Sequence, residues 1–508
     1  MPSPQVLPQV LVVGAGPTGL MLALQLARRG IAIRIIDKNS GPGLASRAMA
    51  MHARSLEFYA QLGLADAVIA GGFKMETLHL REGGEDIATV RFGDIGQGLS
   101  PFPFVLSYPQ DDQERFLVAA LETAGVTVEW NTELADFTQD SDGVTATLTK
   151  AGQSETATTL YICGCDGARS RVRHVLGLEF AGGEYEQLFY VADARVSGPA
   201  THDIFANLGA DTLALMLPVR SSGMQRLIGT VPAAKSDRTD LTFEDVRAEA
   251  EGLIGVHVTE VNWFSTYRVH HRVAAHFRDG RAFLCGDAGH IHSPAGGQGM
   301  NTGLGDAVNL AWKLAEVLKH RAGETVLETY ETERIAFARQ LVATTDRAFR
   351  AGVDPSLVGR FMRTWLLPAI APLASSVKAV REAMFRTVSQ IMIRYPGSDL
   401  SDGAAGKIKG GDRLPFVAGE DGGNFAPQRG LEWRLQIHGD ADPRFAREAA
   451  ALAIPLDVFS WTEAADHAGF AKSAAYLVRP DGYVGWASKT QDAEALAAYL
   501  TARGIMTF

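Results

Sequence analysis

Three carboxylates close short apolar runs beside glycine or the end of a strand: Asp37 after Ile31 to Ile36, Asp166 in Cys165-Asp166-Gly167, and Asp287 in Cys285-Gly286-Asp287. A carboxylate so placed can accept hydrogen bonds from sugar or polyol hydroxyls, and glycine backbone lets a phosphate come close. The Asp-Gly and Gly-Asp pairs would read as plain turns by themselves. Each, however, ends an apolar strand, Tyr161-Ile162-Cys163 in one case and Ala282-Phe283-Leu284 in the other. The glycines are densest at two places. Gly14-Ala15-Gly16-Pro17-Thr18-Gly19 follows Val10-Leu11-Val12-Val13 and opens the amphipathic stretch Leu20 to Arg29, which predicts strand, tight turn and helix. There Gly14 permits the turn, Gly16 admits a pyrophosphate, and Gly19 lets the helix pack on the strand, while the helix N-terminus faces the anion. Asp37, about 20 residues further on, is positioned for an adenosine ribose. This fingerprint alone serves NAD and FAD equally. The second dense place is Pro294-Ala295-Gly296-Gly297-Gln298-Gly299-Met300-Asn301, ahead of an amphipathic helix running through Leu310-Ala311-Trp312-Lys313-Leu314.

In this order and spacing the three patches resemble the flavoprotein aromatic hydroxylases related to para-hydroxybenzoate hydroxylase and phenol hydroxylase, from about Val10 to Arg394 and more weakly to the end. The resemblance implies FAD, with Gly14, Gly16, Gly19 and Asp37 on its ADP half and Arg47 and Gln110 as further contacts. It also implies Asp166 in a segment serving FAD and NADPH, and Gly286 and Asp287 on the ribityl chain. Pro294, Gly297, Gly299, Met300 and Asn301 then border the flavin ring. A helix N-terminus aimed at that ring favours the negative charge of reduced flavin. The implied cycle is hydride transfer from NADPH or NADH, reaction with O2 to a flavin C4a-hydroperoxide, and transfer of one oxygen to a phenolic or polycyclic ring. A single dinucleotide fingerprint fits a nicotinamide that visits transiently.

Composition sets limits. The chain has 508 residues, 46% of them hydrophobic, and a formal charge of −10, which argues against a nucleic-acid or anionic-membrane partner. No targeting pattern precedes the first strand, and the apolar stretch Trp365 to Val377 is short and broken by Pro368 and Pro372. Three cysteines, Cys163, Cys165 and Cys285, sit on predicted strands and read as core residues, with no zinc spacing. A reducing cytoplasm fits them.

The expected fold class is α/β: a Rossmann-like FAD-binding domain, an antiparallel β-sheet substrate domain and a C-terminal thioredoxin-like domain. The first part of the FAD-binding domain occupies 1–175, with a small excursion near 78–103, and the substrate sheet occupies 176–275, with strands at Val191 to Val196, Thr212 to Leu217 and Arg226 to Val231. The second part, 276–395, includes long helices at Tyr330 to Phe349 and Val377 to Arg394, suited to buttressing or to a homodimer contact. A glycine-rich linker is expected over 396–411. Residues 412–508 alternate strands and helices, with a hairpin around Pro480-Asp481-Gly482, and resemble the thioredoxin-like domain of aromatic polyketide hydroxylases. No cysteine lies there, which excludes thiol redox chemistry.

A phenolic substrate needs its proton polarised or removed. The resemblance points to Pro294, whose family counterpart turns its carbonyl to the substrate, and implies Ala295 and Gly296 beside it. Tyr267, Arg268, His270 and His271 lie on a predicted strand, where alternation sends Tyr267, Val269 and His271 to one face. His290 and His292 flank the flavin loop. Tyr267 and His271 are the side-chain candidates for catalysis and substrate binding. Met49 stands where phenol hydroxylase has an acidic residue, which favours a bulkier or less polar substrate or another activating group. Two alternatives stay open: a flavin-dependent halogenase or reductase-dependent oxygenase on the same fold, or a flavin-binding protein that only holds an aromatic ligand. No Trp-x-Trp-x-Ile-Pro segment supports the halogenase.

Overall fold

The computed structural model describes residues 7–43, 48–82, 85–91, 96–197, 202–208, 213–219, 223–293, 297–353 and 377–505. Its cofactor-side sheet has five strands in the order Arg278–Asp279, Ala282–Leu284, Tyr161–Gly164, Val10–Val13 and Ile33–Ile36. The last four run parallel and are mostly buried, as unbroken apolar runs covered on both faces should be. Parallel pairing has a direct consequence for chemistry. It brings the ends of Val10–Val13, Ile33–Ile36, Tyr161–Gly164 and Ala282–Leu284 to one edge, so Gly14, Asp37, Asp166 and Asp287 emerge together although they are scattered in sequence.

The second sheet has eight strands, in the order His290–Ile291, His257–Ala274, Phe180–Ser197, Met224–Thr230, Leu213–Pro218, Ile204–Leu208, Thr77–Glu82 and Glu85–Arg91. The three strands expected between 191 and 231 lie within it. The excursion near 78–103 gains a place in the fold: Thr77–Glu82 pairs parallel with Ile204–Leu208 and antiparallel with Glu85–Arg91, so these two strands complete the substrate sheet. Ladder partners share a face. One face carries Tyr190, Ala192, Leu227 and Met216 and is sealed by Phe243, Val246, Ala250 and Ile254, the last two on helix Arg247–Ile254. On the other face Phe189 stands opposite Tyr267, and Val191 stands opposite Ser265 and Ile228. Further along the sheet Ile204 and Leu217 pack with Met49, Met75 and Val105, so this second face looks towards the cofactor half.

The C-terminal sheet runs Ile408–Lys409, Asp402–Ala405, Val484–Ser488, Ala475–Val478, Arg434–His438 and Leu456–Phe459. With helices Pro443–Ala451, Glu463–Ala468 and Ala493–Ala502 its core follows the βαβαββα order of a thioredoxin-like fold. The expected linker 396–411 is corrected, because two of these strands lie inside it. Its glycines serve close packing: a Cβ on Gly403 would come within 2.1 Å of the Ala487 carbonyl oxygen. The helix expected over Val377 to Arg394 spans Lys378–Val388 and stops before Gln390, which takes a φ of 59°. The apolar stretch from Trp365 to residue 376 lies outside the described residues.

The C-terminal part joins the cofactor half through buried charge. Asp481 accepts from Trp312 Nε1 at 3.0 Å and Asn309 Nδ2 at 3.3 Å on helix Gln298–Leu318, and from Arg479 at 2.7 Å. Arg479 forks onto Glu333 at 2.7 and 2.9 Å, and Lys313 Nζ reaches the same carboxylate at 2.8 Å. Two cations and two anions therefore share a dry cluster with no net charge. Burial pushes the Lys313 amine down to about 8. Burial opposes ionisation of Glu333 as well, yet Arg479 and Lys313 hold its carboxyl well below the usual range.

His438 is fully buried, lies against Phe459 and Phe470, and finds no hydrogen-bond partner among the described residues for either ring nitrogen. Burial pushes its pKa from 6.5 down to about 4. The unfolded chain therefore binds a proton that the folded chain refuses, and stability is lost as the pH falls below 6.5 towards 4. Denaturant unfolding at pH 7 and pH 5 is expected to show about 2 kcal/mol less acid loss in His438→Leu than in the parent.

Candidate flavin site

The turn after Val10–Val13 is built for close approach. Gly14 has a φ of 104°, and a Cβ there would lie 2.4 Å from the Cys165 carbonyl oxygen. Helix Pro17–Arg28 starts from Gly16 with no side-chain cap, and a Cβ on Gly16 would meet nothing within 4 Å. The first N–H groups of that helix thus face open space where an anion fits. Asp37 is tied to this turn, its Oδ2 accepting from Ala15 N at 2.7 Å and its Oδ1 from Asn39 N at 2.8 Å.

A second helix start arrives at the same place. Gly297, with a left-handed φ of 64°, precedes helix Gln298–Leu318, again without a side-chain cap. The two helices meet at Thr18, whose Oγ1 lies 2.7 Å from where a Gly286 Cβ would sit and 2.3 Å from where a Gly303 Cβ would sit. Between them the Asp287 carboxylate opens onto solvent in a recess. Crowding by the protein raises its pKa, helped by Asp306 and opposed by His290. Uncapped N–H groups, an exposed acid and glycines without clashing side chains together make an edge that fits a phosphate- and hydroxyl-bearing cofactor such as FAD.

The remaining expected residues divide by what holds them. Gln110 begins helix Gln110–Thr123 and donates to Glu114, which accepts from Gly43 N at 2.8 Å, so it braces the approach to 44–47. Asp166 Oδ2 accepts from Arg171 N at 2.6 Å and Val172 N at 3.3 Å, which caps the short helix Arg171–Val175. Among the described residues its Oδ1 is buried without a hydrogen-bond partner, and burial raises its pKa. The Asn301 side chain is saturated: Oδ1 accepts from His52 N and Ser55 Oγ, and Nδ2 donates to the Ala50 and Gly297 carbonyls. It ties the helix start to helix Ala53–Gln61. Gly299 and Met300 lie half-buried on the first turn of the second helix. Arg47, Pro294, Ala295 and Gly296 lie outside the described residues.

Tyr267, Val269 and His271 share a face as alternation requires, and they form an aromatic pile with Phe189 and Tyr185. Their strand runs beside the flavin loop because Arg272 pairs with Ile291. Met49 is buried against the substrate sheet. His290, which flanks the flavin loop, has its Nε2 bonded to Asp306 at 2.6 Å in a site with almost no exposure. Burial, with His290 nearby, pushes His292 down to about 4, so it is neutral at neutral pH. Thr18, Gly303, Asp306 and Arg334 escaped the sequence reading. For Gly303 the four-residue step from Gly299 was an available signal, since it marks one face of a helix.

A parallel sheet whose strand ends gather glycine turns, acids and two uncapped helix starts defines a dinucleotide-binding enzyme. Residues 8–345 match the FAD binding domain family, and residues 426–503 match the C-terminal family of aromatic-ring hydroxylases. Among curated relatives, 6-methylpretetramide 4-monooxygenase of Streptomyces rimosus is 35% identical over 542 residues, covering 97% of this chain and 93% of the relative. The anhydrotetracycline hydroxylase structure from Streptomyces rimosus superposes with a TM-score of 0.78 at 28% identity, covering 99% of this chain and 100% of that one. The flavin-dependent monooxygenase PieE, solved with FAD and substrate, gives a TM-score of 0.82 at 25% identity, covering 98% and 100%. The chain belongs to the FAD-dependent aromatic-ring hydroxylases and is a monooxygenase acting on a small aromatic substrate with O2. Among the described residues no helix is long and apolar enough to cross a membrane, and no group of side chains could hold a metal ion.

The space beside Gly16 separates cofactor binding from folding. Gly16→Val is expected to keep the parent's circular dichroism while weakening FAD at least about tenfold, because its side chain fills the open space at the uncapped helix start. Fluorescence titration of the apoprotein with FAD measures this.

Proposed function

We propose that this chain is a single-component hydroxylase of a phenolic or polycyclic aromatic substrate, taking electrons from NADPH or NADH. The observation that carries the reading is the asymmetry of the eight-stranded sheet. One face is sealed by its own helix, whereas the face towards the cofactor half leaves Leu215, Leu217, Ile228, Trp263 and Tyr267 partly exposed. Lined mainly by apolar and aromatic side chains, that face suits fused rings. Asp193 and Arg226 cross it as a buried fork at 2.7 and 2.8 Å, a polar anchor for ring substituents. Two of the relatives are named for a pretetramide and an anhydrotetracycline, which supports a polycyclic substrate here too.

When bound, FAD supplies the redox chemistry that activates O2 and delivers one oxygen atom. This chain's residues hold and shield it. The Gly297 helix start favours negative charge at the ring, and the covering sheet excludes water from the reacting atoms. Asp37 and Gly16 hold the ADP half and Asp287 the ribityl chain, with Arg47, Gln110 and Asp166 at the margins. For activation of the phenolic proton we assign the Pro294 carbonyl, Tyr267 and His271, with Ala295, Gly296 and Met49 beside the substrate. Val380 and Met384, exposed on helix Lys378–Val388, favour a homodimer, and three free buried cysteines suit a cytoplasmic location.

Purified holoenzyme offered phenols, naphthols and polycyclic phenols is expected to consume NAD(P)H faster with at least one of them, yielding a product that carries one oxygen atom from isotope-labelled O2. Turnover that depends on an added flavin reductase or on halide would sink the single-component reading. Ligand binding with no stimulated oxidation across the panel would point instead to a protein that only sequesters its ligand.

A further inference from the structure

We propose that Asp306 is a positioning residue for the flavin, clamping the turn that presents Asp287; the inference rests on the assignment of Asp287 to the ribityl chain. Asp306 is fully buried on helix Gln298–Leu318. Its Oδ2 accepts from Gly286 N at 2.9 Å and from His290 Nε2 at 2.6 Å, and its Oδ1 accepts from Arg334 Nε at 2.5 Å. Gly286 immediately precedes Asp287 and holds a φ of 59°, so the bond to its N–H fixes the Cys285–Gly286 peptide, one residue ahead of the Cα from which the Asp287 side chain departs.

The clamp is itself held from two directions. Arg334, on helix Thr325–Val353, donates also to the Thr302 carbonyl at 3.1 Å and to Tyr395 Oη at 2.8 Å. His290 is stacked on Phe277. Burial would by itself raise the Asp306 pKa, but Arg334 and His290 outweigh it and keep the carboxyl near 2. An ionised carboxylate makes a backbone N–H bond about twice as strong as a neutral acceptor does. Cohesion alone does not call for a carboxylate in this position, since well-packed apolar side chains stabilise a core as well as a buried ion pair. What the charge adds is a firm hold on the Gly286 peptide, drawing the turn against Thr18 and aiming Asp287 along the cofactor edge.

Apoprotein titrated calorimetrically with FAD and with ADP tests this, because ADP lacks the ribityl chain and engages only the Gly16 and Asp37 half. Asp306→Asn is expected to weaken FAD about tenfold or more while changing ADP by less than about twofold. Equal loss for both ligands, or loss for neither, overturns the proposal. Asp287→Ala in the same titrations separates the two layers of inference. If it weakens FAD and ADP alike, the ribityl assignment fails and the clamp with it. If it is FAD-selective while Asp306→Asn is not, the clamp alone fails. Should Asp306→Asn not fold, His290→Phe, which keeps the stack on Phe277 and deletes one donor, decides the matter: a selective loss of about threefold for FAD supports the clamp, and none overturns it.

Discussion

Three segments distant in sequence converge on Thr18, and steric exclusion decides whether they can. A side-chain carbon on Gly286 or Gly303 would collide with its hydroxyl, and one on Gly19 would come within 1.9 Å of the Gly14 carbonyl oxygen. Forcing a methyl group into such packing costs on the order of 1–3 kcal/mol and shifts backbone. Because those carbons are missing, two helix starts and the Asp287 turn occupy a space that ordinary residues would hold apart. The concentration of backbone N–H groups along one edge follows from that contact.

Strand direction does the rest. Parallel pairing places every functional turn at the same end of the five-stranded sheet, and the long antiparallel strands Phe180–Ser197 and His257–Ala274 carry a second sheet over it. The covering sheet spends only one face on its own stability, through the cluster under Arg247–Ile254. Its other face is left to the cleft, so the chemistry of the ligand can vary without loosening the core that holds the sheet together.

The legible parts of the sequence were those whose partners are close in the chain. Gly14, Gly16, Gly19 and Asp37 lie within one strand, helix and strand, and their geometry follows from local periodicity. Asp306 was opaque because its meaning depends on His290 and Arg334, 16 and 28 residues away, and on a peptide N–H that has no residue-type signature. Composition misled at 396–411, where glycines taken as flexible allow close approach within a sheet, and the excursion near 78–103 hid its role because its neighbour in the sheet, Ile204–Leu208, lies beyond position 200. His290 shows the same limit, since the sequence places it beside the flavin loop without naming Asp306 as its hydrogen-bond partner.

The Arg479 and Asp481 contacts also bear on how this chain is born. A ribosome releases Trp312, Lys313 and Glu333 long before it reaches position 481, so the nascent cofactor half carries an indole and a buried-type charge pair whose remaining partners do not yet exist. Helices Gln298–Leu318 and Thr325–Val353 reach their final environment only once Arg479 and Asp481 are in place. Helix Gln298–Leu318, which starts at the flavin edge, is therefore anchored from its far side by Asp481, so a cysteine-free thioredoxin-like fold contributes charge to the cofactor half where it has no thiol to offer.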